Sequence, residues 1–181
     1  IRHMALHDAL TGLPNRQLLQ DRLQTALAAG KRRDTLTAVL YIDLDRFKDI
    51  NDAHGHDAGD AVLQSTAEQI TRCVREADTV ARMGGDEFVI VLPDLTHMDD
   101  ASDVAVRILD TLSQPLIIDG QSHMLGASIG IGLHPKDGAF PDEILRKADR
   151  AMYAAKNAGG SGYRLGGARD GRTADGRTAR G

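Results

Sequence analysis

The sequence predicts an α+β fold in which a mixed β-sheet is wrapped by helices, and three observations carry that prediction. Thr37 to Leu44 is an almost unbroken apolar run of β-formers, as expected of a central strand covered on both faces. Ala81 to Pro93 reads as two short apolar strands joined by a tight turn, where Gly84 and Gly85 supply the positive φ that a hairpin needs. Around these strands lie segments whose apolar residues recur at helical spacing.

The elements follow in chain order. His7 to Arg16 is rich in turn formers, and Asn15 is placed to cap a helix running from Arg16 to Ala29, with Gly30 closing it and Lys31 to Asp34 as a charged loop. After the Thr37–Leu44 strand, a polar segment holds a short helix starting near Arg46, then a loop with Gly55. Ala58 to Arg75 is amphipathic, with Val62, Leu63, Ala67, Ile70 and Val74 inward. Past the glycine hairpin, Asp99 to Ser113 is a helix. Leu116 to Ile118, the Asp119-Gly120 turn and Met124 to Leu133 read as a second hairpin. Within it, the glycines of Ser128-Ile-Gly-Ile-Gly132 allow another backbone to come close. Pro141 to Asn157 is the last long helix, with Pro and two acids at its start and Met152 and Tyr153 as core candidates.

Length and composition narrow the function classes. A chain of 181 residues fits one domain with a short appendage and buries a full core without staples. Twenty-two basic residues against 26 acidic ones give a net charge of −4, which offers no support for nucleic-acid binding. The single cysteine, Cys73, excludes an intramolecular disulfide and reads as a packed thiol. No apolar run approaches a membrane span and no signal peptide opens the chain, so the expected location is cytoplasmic, with a longer parent protein free to be membrane-tethered. Residues 1–7 are read as a linker or appended segment, and residues 166–181, which repeat Asp-Gly-Arg-Thr-Ala, as a flexible tail or linker.

The chemistry concentrates in carboxylates. Asp43 interrupts the central strand near its carboxyl end and reads either as a site acid or as a cap of the next helix. Asp86 and Glu87 sit on the glycine turn, which by itself fits an ordinary acidic hairpin equally well. If strand and hairpin are neighbours, these acids converge and need a cation; hard oxygen ligands point to Mg²⁺ or Mn²⁺, which shares its remaining positions with water and phosphates. A nucleoside triphosphate follows. Lys48 and the amides of the helix near Arg46 are placed for distal phosphates. Asn51 and Asp60 flank the following loop, and a carboxylate can accept the two donors on the guanine edge. His54 and His56, two residues apart, do not share a helical face and are read as structuring the loop.

These segments together resemble the GGDEF domain family, which are diguanylate cyclases. The matching stretches are Gly84-Gly-Asp-Glu-Phe88, Asp8-Ala-Leu-Thr-Gly-Leu-Pro-Asn-Arg16, Ile42-Asp-Leu-Asp-Arg-Phe-Lys-Asp-Ile-Asn51, Gly55-His-Asp-Ala-Gly-Asp60, Ser128-Ile-Gly-Ile131 and Ala148-Asp-Arg-Ala-Met-Tyr-Ala-Ala-Lys156. The resemblance covers Asp8 to about Tyr163 and implies a palm-like nucleotidyl cyclase fold with a mostly antiparallel central sheet, the domain proper being residues 8–165. It also implies the reaction, two GTP condensing to cyclic di-GMP with loss of pyrophosphate, in a homodimer of facing domains.

By the same resemblance, Asp43, Asp86 and the Leu44 carbonyl hold two Mg²⁺ (or Mn²⁺) ions, and Glu87 is a further ligand or helps deprotonate the ribose hydroxyl. Phe47, Lys48 and Lys156 meet phosphates, while Asn51 and Asp60 meet guanine. Arg75 and Asp78 match an Arg-x-x-Asp product-inhibition site, with Arg107 as a possible third member; read from spacing alone, Arg75 and Asp78 are equally a surface ion pair. One departure stands out: where the family usually continues with Gly-Arg-Asn after the last lysine, this chain has Gly159-Gly-Ser161. Sensor or phosphodiesterase domains in a longer parent chain are expected partners. The alternative to catalysis is a GTP- or cyclic-di-GMP-binding regulatory module coupled to a phosphodiesterase domain.

Overall fold

A computed structural model of the chain describes residues 5–167. The element order is α1 (Arg16–Arg33), β1 (Leu36–Asp45), α2 (Phe47–His54), α3 (His56–Arg72), β2 (Thr79–Gly84), β3 (Glu87–Leu95), α4 (Met98–Leu112), β4 (Leu116–Ile118), β5 (Gln121–His123), β6 (Gly126–His134), α5 (Pro141–Asn157) and β7 (Gly162–Leu165). Five strands form one sheet in the order β2-β3-β1-β6-β7, antiparallel except for the β6/β7 pair. The expected central strand is therefore central: β1 pairs with β3 on one side and β6 on the other.

Alternation along β1 explains why it carries apolar residues on both faces. Ala38, Leu40, Ile42 and Leu44 join a core with Phe47 and Ile50 of α2, Val62, Ala67 and Ile70 of α3, and Ala105 and Ile108 of α4. Val39 and Tyr41 face the other way, against Leu19, Leu23 and Leu27 of α1 and Ile144, Ala148 and Met152 of α5. Each face is covered by helices, so neither can be polar.

Glycines set how closely α5 lies on the sheet. A Cβ on Gly130 would stand 1.9 Å from the Ala148 carbonyl oxygen and 2.2 Å from the Met152 nitrogen, and one on Gly132 would stand 2.7 Å from the Ile144 carbonyl oxygen. The helix backbone thus rests directly on β6, as the Gly-Ile-Gly pattern suggested. Lys156, one turn beyond Met152, is carried over the end of β1.

Several sequence expectations need correction. Gly30 does not close α1: the helix runs on to Arg33 and stops at Asp34, which adopts the left-handed conformation with φ 57°. Gly30 is buried where a Cβ would lie 3.1 Å from Thr37 Oγ1, so it serves close packing, and Lys31 to Arg33 complement the helix's negative end. The helix expected over Ala58–Arg75 spans His56–Arg72 instead. The second hairpin is also different. Leu116–Ile118 pairs only with Gln121–His123 in a separate two-stranded sheet, while Gly126–His134 crosses to the main sheet beside β1, where its apolar residues are buried on both faces.

The short parallel strand β7 went unpredicted, because four half-buried residues carry no period. Met152 is buried, but Tyr153 is 62% exposed and no part of the core. Cys73 is buried as expected. Among the described residues no helix is long and apolar enough to cross a membrane. The expected tail lies almost wholly outside the described residues, as do residues 1–4.

Gly130→Ala should destabilise the protein by about 2 kcal/mol or more, because the added carbon meets helix backbone rather than a movable side chain. A urea unfolding midpoint equal to that of the wild type would show that α5 is not seated directly on β6.

Candidate active site

Sheet register brings the acids together. Asp43 of β1 lies opposite Glu87 of β3, and the Leu44 N–H donates to the Asp86 carbonyl at 3.3 Å. The hairpin turn runs through Gly84 (φ 143°) and Gly85 (φ 50°), conformations open to glycine and costly to most residues. Arg82 clamps this turn, donating from Nε and Nη2 to the Gly85 carbonyl at 2.9 and 2.8 Å. Its Nη1 also contacts both carboxylate oxygens of Asp8, at 3.0 and 3.2 Å. Asp8 in turn accepts from the amide and hydroxyl of Thr11. Burial opposes its charge, but these hydrogen bonds and the Arg82 charge outweigh burial and hold its pKa below the usual value. The sequence gives Asp8 to Thr11 as turn formers within a stretch that matches the family and assigns Asp8 no partner; the Asp-x-x-Thr spacing of a side-chain-closed turn is the available signal.

Asp86 is the most perturbed carboxyl of the cluster. Burial first, and then the neighbouring charge of Asp43, push its pKa up to about 6. Among the described residues, the cation in contact is Lys156, whose Nζ donates to Asp43 Oδ1 at 2.5 Å and to the Leu44 carbonyl at 3.4 Å. Burial disfavours the ammonium, yet its hydrogen bond to Asp43 and the charges of Asp43, Asp86 and Asp45 raise its pKa overall. Two predicted metal ligands therefore already share one positive charge. The donor set fits a hard divalent cation: two carboxylates and a carbonyl, all oxygen. Among the described residues no three His, Cys, Asp or Glu side chains make a ready cage, so protein ligands alone would leave positions for water and phosphate. Glu87 is turned aside in part, because its Oε2 accepts from the Tyr41 hydroxyl at 2.9 Å.

Asp149 on α5, which sequence reasoning assigned no role, borders the cluster. Burial and the charge of Asp43 raise its pKa against a lowering contribution from Arg16. Asp45 secures the loop after α5: Ser128 Oγ donates to its Oδ1 at 2.8 Å and the Ser161 amide to its Oδ2 at 2.7 Å. The Gly159–Ser161 stretch is thus tied to the end of β1.

The candidate nucleotide-binding residues sit on α2 and α3. Arg46, in the left-handed conformation (φ 60°), turns the chain sharply from β1 into α2. Phe47 is buried, whereas Lys48 is exposed. Asn51 packs against Gly59, where a Cβ would stand 1.8 Å from its Oδ1, and the exposed Asp60 follows directly. His54 structures the neighbouring region, with Nδ1 3.1 Å from Asp119 Oδ2 and its ring edge-on to His123.

Arg75 and Asp78 form a second, separate cluster. Arg75 Nη2 lies 3.0 Å from Asp78 Oδ1 and 3.1 Å from the Pro93 carbonyl oxygen. The Asp78 side chain is 1% exposed and that of Arg75 is 59% exposed, so the carboxylate anchors while the guanidinium faces solvent. A groove of about 460 Å³ beside it is lined by Arg22, Glu76, Ala77, Asp78 and Pro93 among others. Arg107 is engaged elsewhere, donating to the Cys73 carbonyl at 2.8 Å.

Comparison with known proteins agrees with this fold. The family described as "Diguanylate cyclase, GGDEF domain" matches residues 5–162. The bifunctional diguanylate cyclase/cyclic di-GMP phosphodiesterase MucR of Pseudomonas aeruginosa is 48% identical over 160 residues, covering 88% of this chain but only 23% of MucR. The solved GGDEF domain of TpbB (YfiN) from Pseudomonas aeruginosa is 43% identical, with a TM-score of 0.86 over 88% of this chain and 94% of that one. The GGDEF domain of DgcB from Caulobacter crescentus, solved in complex with c-di-GMP, is 27% identical, with a TM-score of 0.85 over 93% of this chain and 97% of that one.

The raised pKa of Asp86 predicts a pH signature. A carboxyl with a higher pKa folded than unfolded adds stability that is complete below the unfolded value of 3.8 and is lost as pH rises through about 6. Partial exposure limits the effect to about 1 kcal/mol. In EDTA, Asp86→Asn should therefore gain about 2–4 °C in melting temperature relative to wild type between pH 5 and 7.5. A difference independent of pH would show that Asp43 and Asp86 do not strain each other.

Proposed function

The chain belongs to the GGDEF domain family of diguanylate cyclases, and from that premise we propose that it condenses two GTP molecules into cyclic di-GMP, releasing two pyrophosphates. The observation that supports this reading best is the convergence of Asp43, the Leu44 carbonyl and Asp86 on a single positive charge. In each of two identical steps, the ribose 3′-oxygen of one GTP forms a bond to the α-phosphorus of the other, and the bond from that phosphorus to pyrophosphate breaks. Asp43, Asp86 and the Leu44 carbonyl are the groups that would hold two Mg²⁺ ions, with Mn²⁺ as the substitute. When bound, such ions neutralise charge developing on the phosphoryl oxygens and ease ionisation of the attacking hydroxyl.

The chain's own residues bind and orient the substrate. Asp60 and Asn51 meet the guanine edge, which presents two donors that a carboxylate matches and adenine lacks. Lys48 and Lys156 carry charge to the terminal phosphates, with Phe47 as the packed base of that wall. Binding nucleotide draws Lys156 away from Asp43, exchanging one acidic partner for another. Glu87 takes the proton of the 3′-hydroxyl. Each domain holds one GTP, so a homodimer with facing sites is the active form.

Arg75 and Asp78 are proposed to bind the product and restrain turnover, with the arginine making paired contacts to phosphate or guanine. The chain spans only 23% of MucR, and further sensor or phosphodiesterase domains would belong to a longer parent protein.

Purified protein with Mg²⁺ and GTP should yield cyclic di-GMP, detected by mass spectrometry; GTP binding without product would make this a regulatory module instead. Asp86→Ala should lower turnover at least about 100-fold, the scale of losing an electrostatic group that acts on the transition state, while leaving the circular dichroism spectrum unchanged. Normal turnover by that variant would remove Asp86 from the metal site. Arg75→Ala should abolish inhibition by added product, and an unchanged inhibition curve would return Arg75 to the role of a surface ion pair.

A further inference from the structure

Tyr41 is a buried polar side chain that the proposed reaction does not use. It lies in β1, paired with Val89 of β3 and Gly130 of β6, two residues before Asp43. Only 7% of it is exposed, and it packs with Leu19, Leu23 and Met152 between the sheet and helices α1 and α5. A tyrosine hydroxyl carried into such a core needs a partner. Its partner is Glu87, whose Oε2 accepts the hydrogen bond at 2.9 Å.

The geometry explains why this contact matters for Glu87. Register places Asp43 opposite Glu87 and Tyr41 opposite Val89, so Tyr41 and Glu87 are diagonal neighbours on one face of the sheet. Glu87 opens β3 immediately after the turn and is only half-buried, and a glutamate there has three side-chain torsions to fix. A ring locked in the core supplies a fixed donor to one of its oxygens and leaves Oε1 for the site. We propose that Tyr41 is a positioning residue that holds the Glu87 carboxylate in the orientation needed for the reaction on GTP. This rests on the diguanylate cyclase reading given above. Tyr41 acts through Glu87, since its ring lies beneath the strand.

Tyr41→Phe deletes one oxygen from a filled site and keeps the ring. Its kcat should fall about tenfold, the scale expected when a reacting group is misaligned by a fraction of an ångström. KM for GTP and the calorimetric affinity for a non-hydrolysable GTP analogue should stay within about twofold, and a crystal structure of the variant should show Glu87 in more than one rotamer. Wild-type kcat in the variant, a parallel loss of kcat and analogue affinity, or a Glu87 carboxylate that keeps its orientation would each overturn the proposal. Failure of the wild-type protein to make cyclic di-GMP would instead overturn the reading on which it rests.

Discussion

Like charges forced together at the end of a buried strand are the constraint around which this molecule is arranged. Antiparallel register fixes Asp43 opposite Glu87 and draws Asp86 alongside, where the charge of Asp43 acts on it. Burial first, and then the charge of Asp43, raise the pKa of Asp86, while the hydrogen bond and charge of Asp43 raise that of Lys156 against its burial. A site of this kind is unsatisfied by design. Its excess of negative charge favours a cation beside it.

Rigid packing makes the conflict unavoidable. Because Gly130 and Gly132 let α5 rest on β6 backbone to backbone, Lys156 arrives at a fixed height over β1. On the other side, Arg82 ties the hairpin turn to Asp8, so the segment that leads into the domain is coupled to the loop carrying Asp86. Asp45 performs a similar task after α5, gathering Ser128 and Ser161 on one carboxylate. Acids two residues apart thus have different duties: Asp43 meets Lys156, and Asp45 organises the loop after α5. The departure at Gly159–Ser161 from the family's usual Gly-Arg-Asn removes a cation but leaves a loop that is well anchored.

The two charged clusters differ in character. Around Asp43 the carboxylates outnumber the cations. At Arg75, a buried carboxylate holds an exposed guanidinium in place. Arg107 illustrates the limits of placing a residue from spacing: it lies on the neighbouring helix as expected, yet its charge is spent on the carbonyl of Cys73.

By itself, the sequence determined the elements that carry strong periodicity or local turn chemistry. The central strand, the glycine hairpin, the Asn15 cap and the close approach at Gly130 all follow from local composition, because an apolar run, a Gly-Gly turn and a capping side chain act within a few residues. Contacts between distant segments were decided only by the tertiary structure. Gly126–His134 left its apparent hairpin for the main sheet, Tyr153 turned to solvent, and Arg82 found Asp8 across 74 positions of chain. So too the bond from Tyr41 to Glu87 spans 46 positions and has no trace in either local pattern. The physical reason is that pairing energies between such segments depend on which surfaces remain to be buried once the sheet is assembled, and that sum is a property of the whole fold.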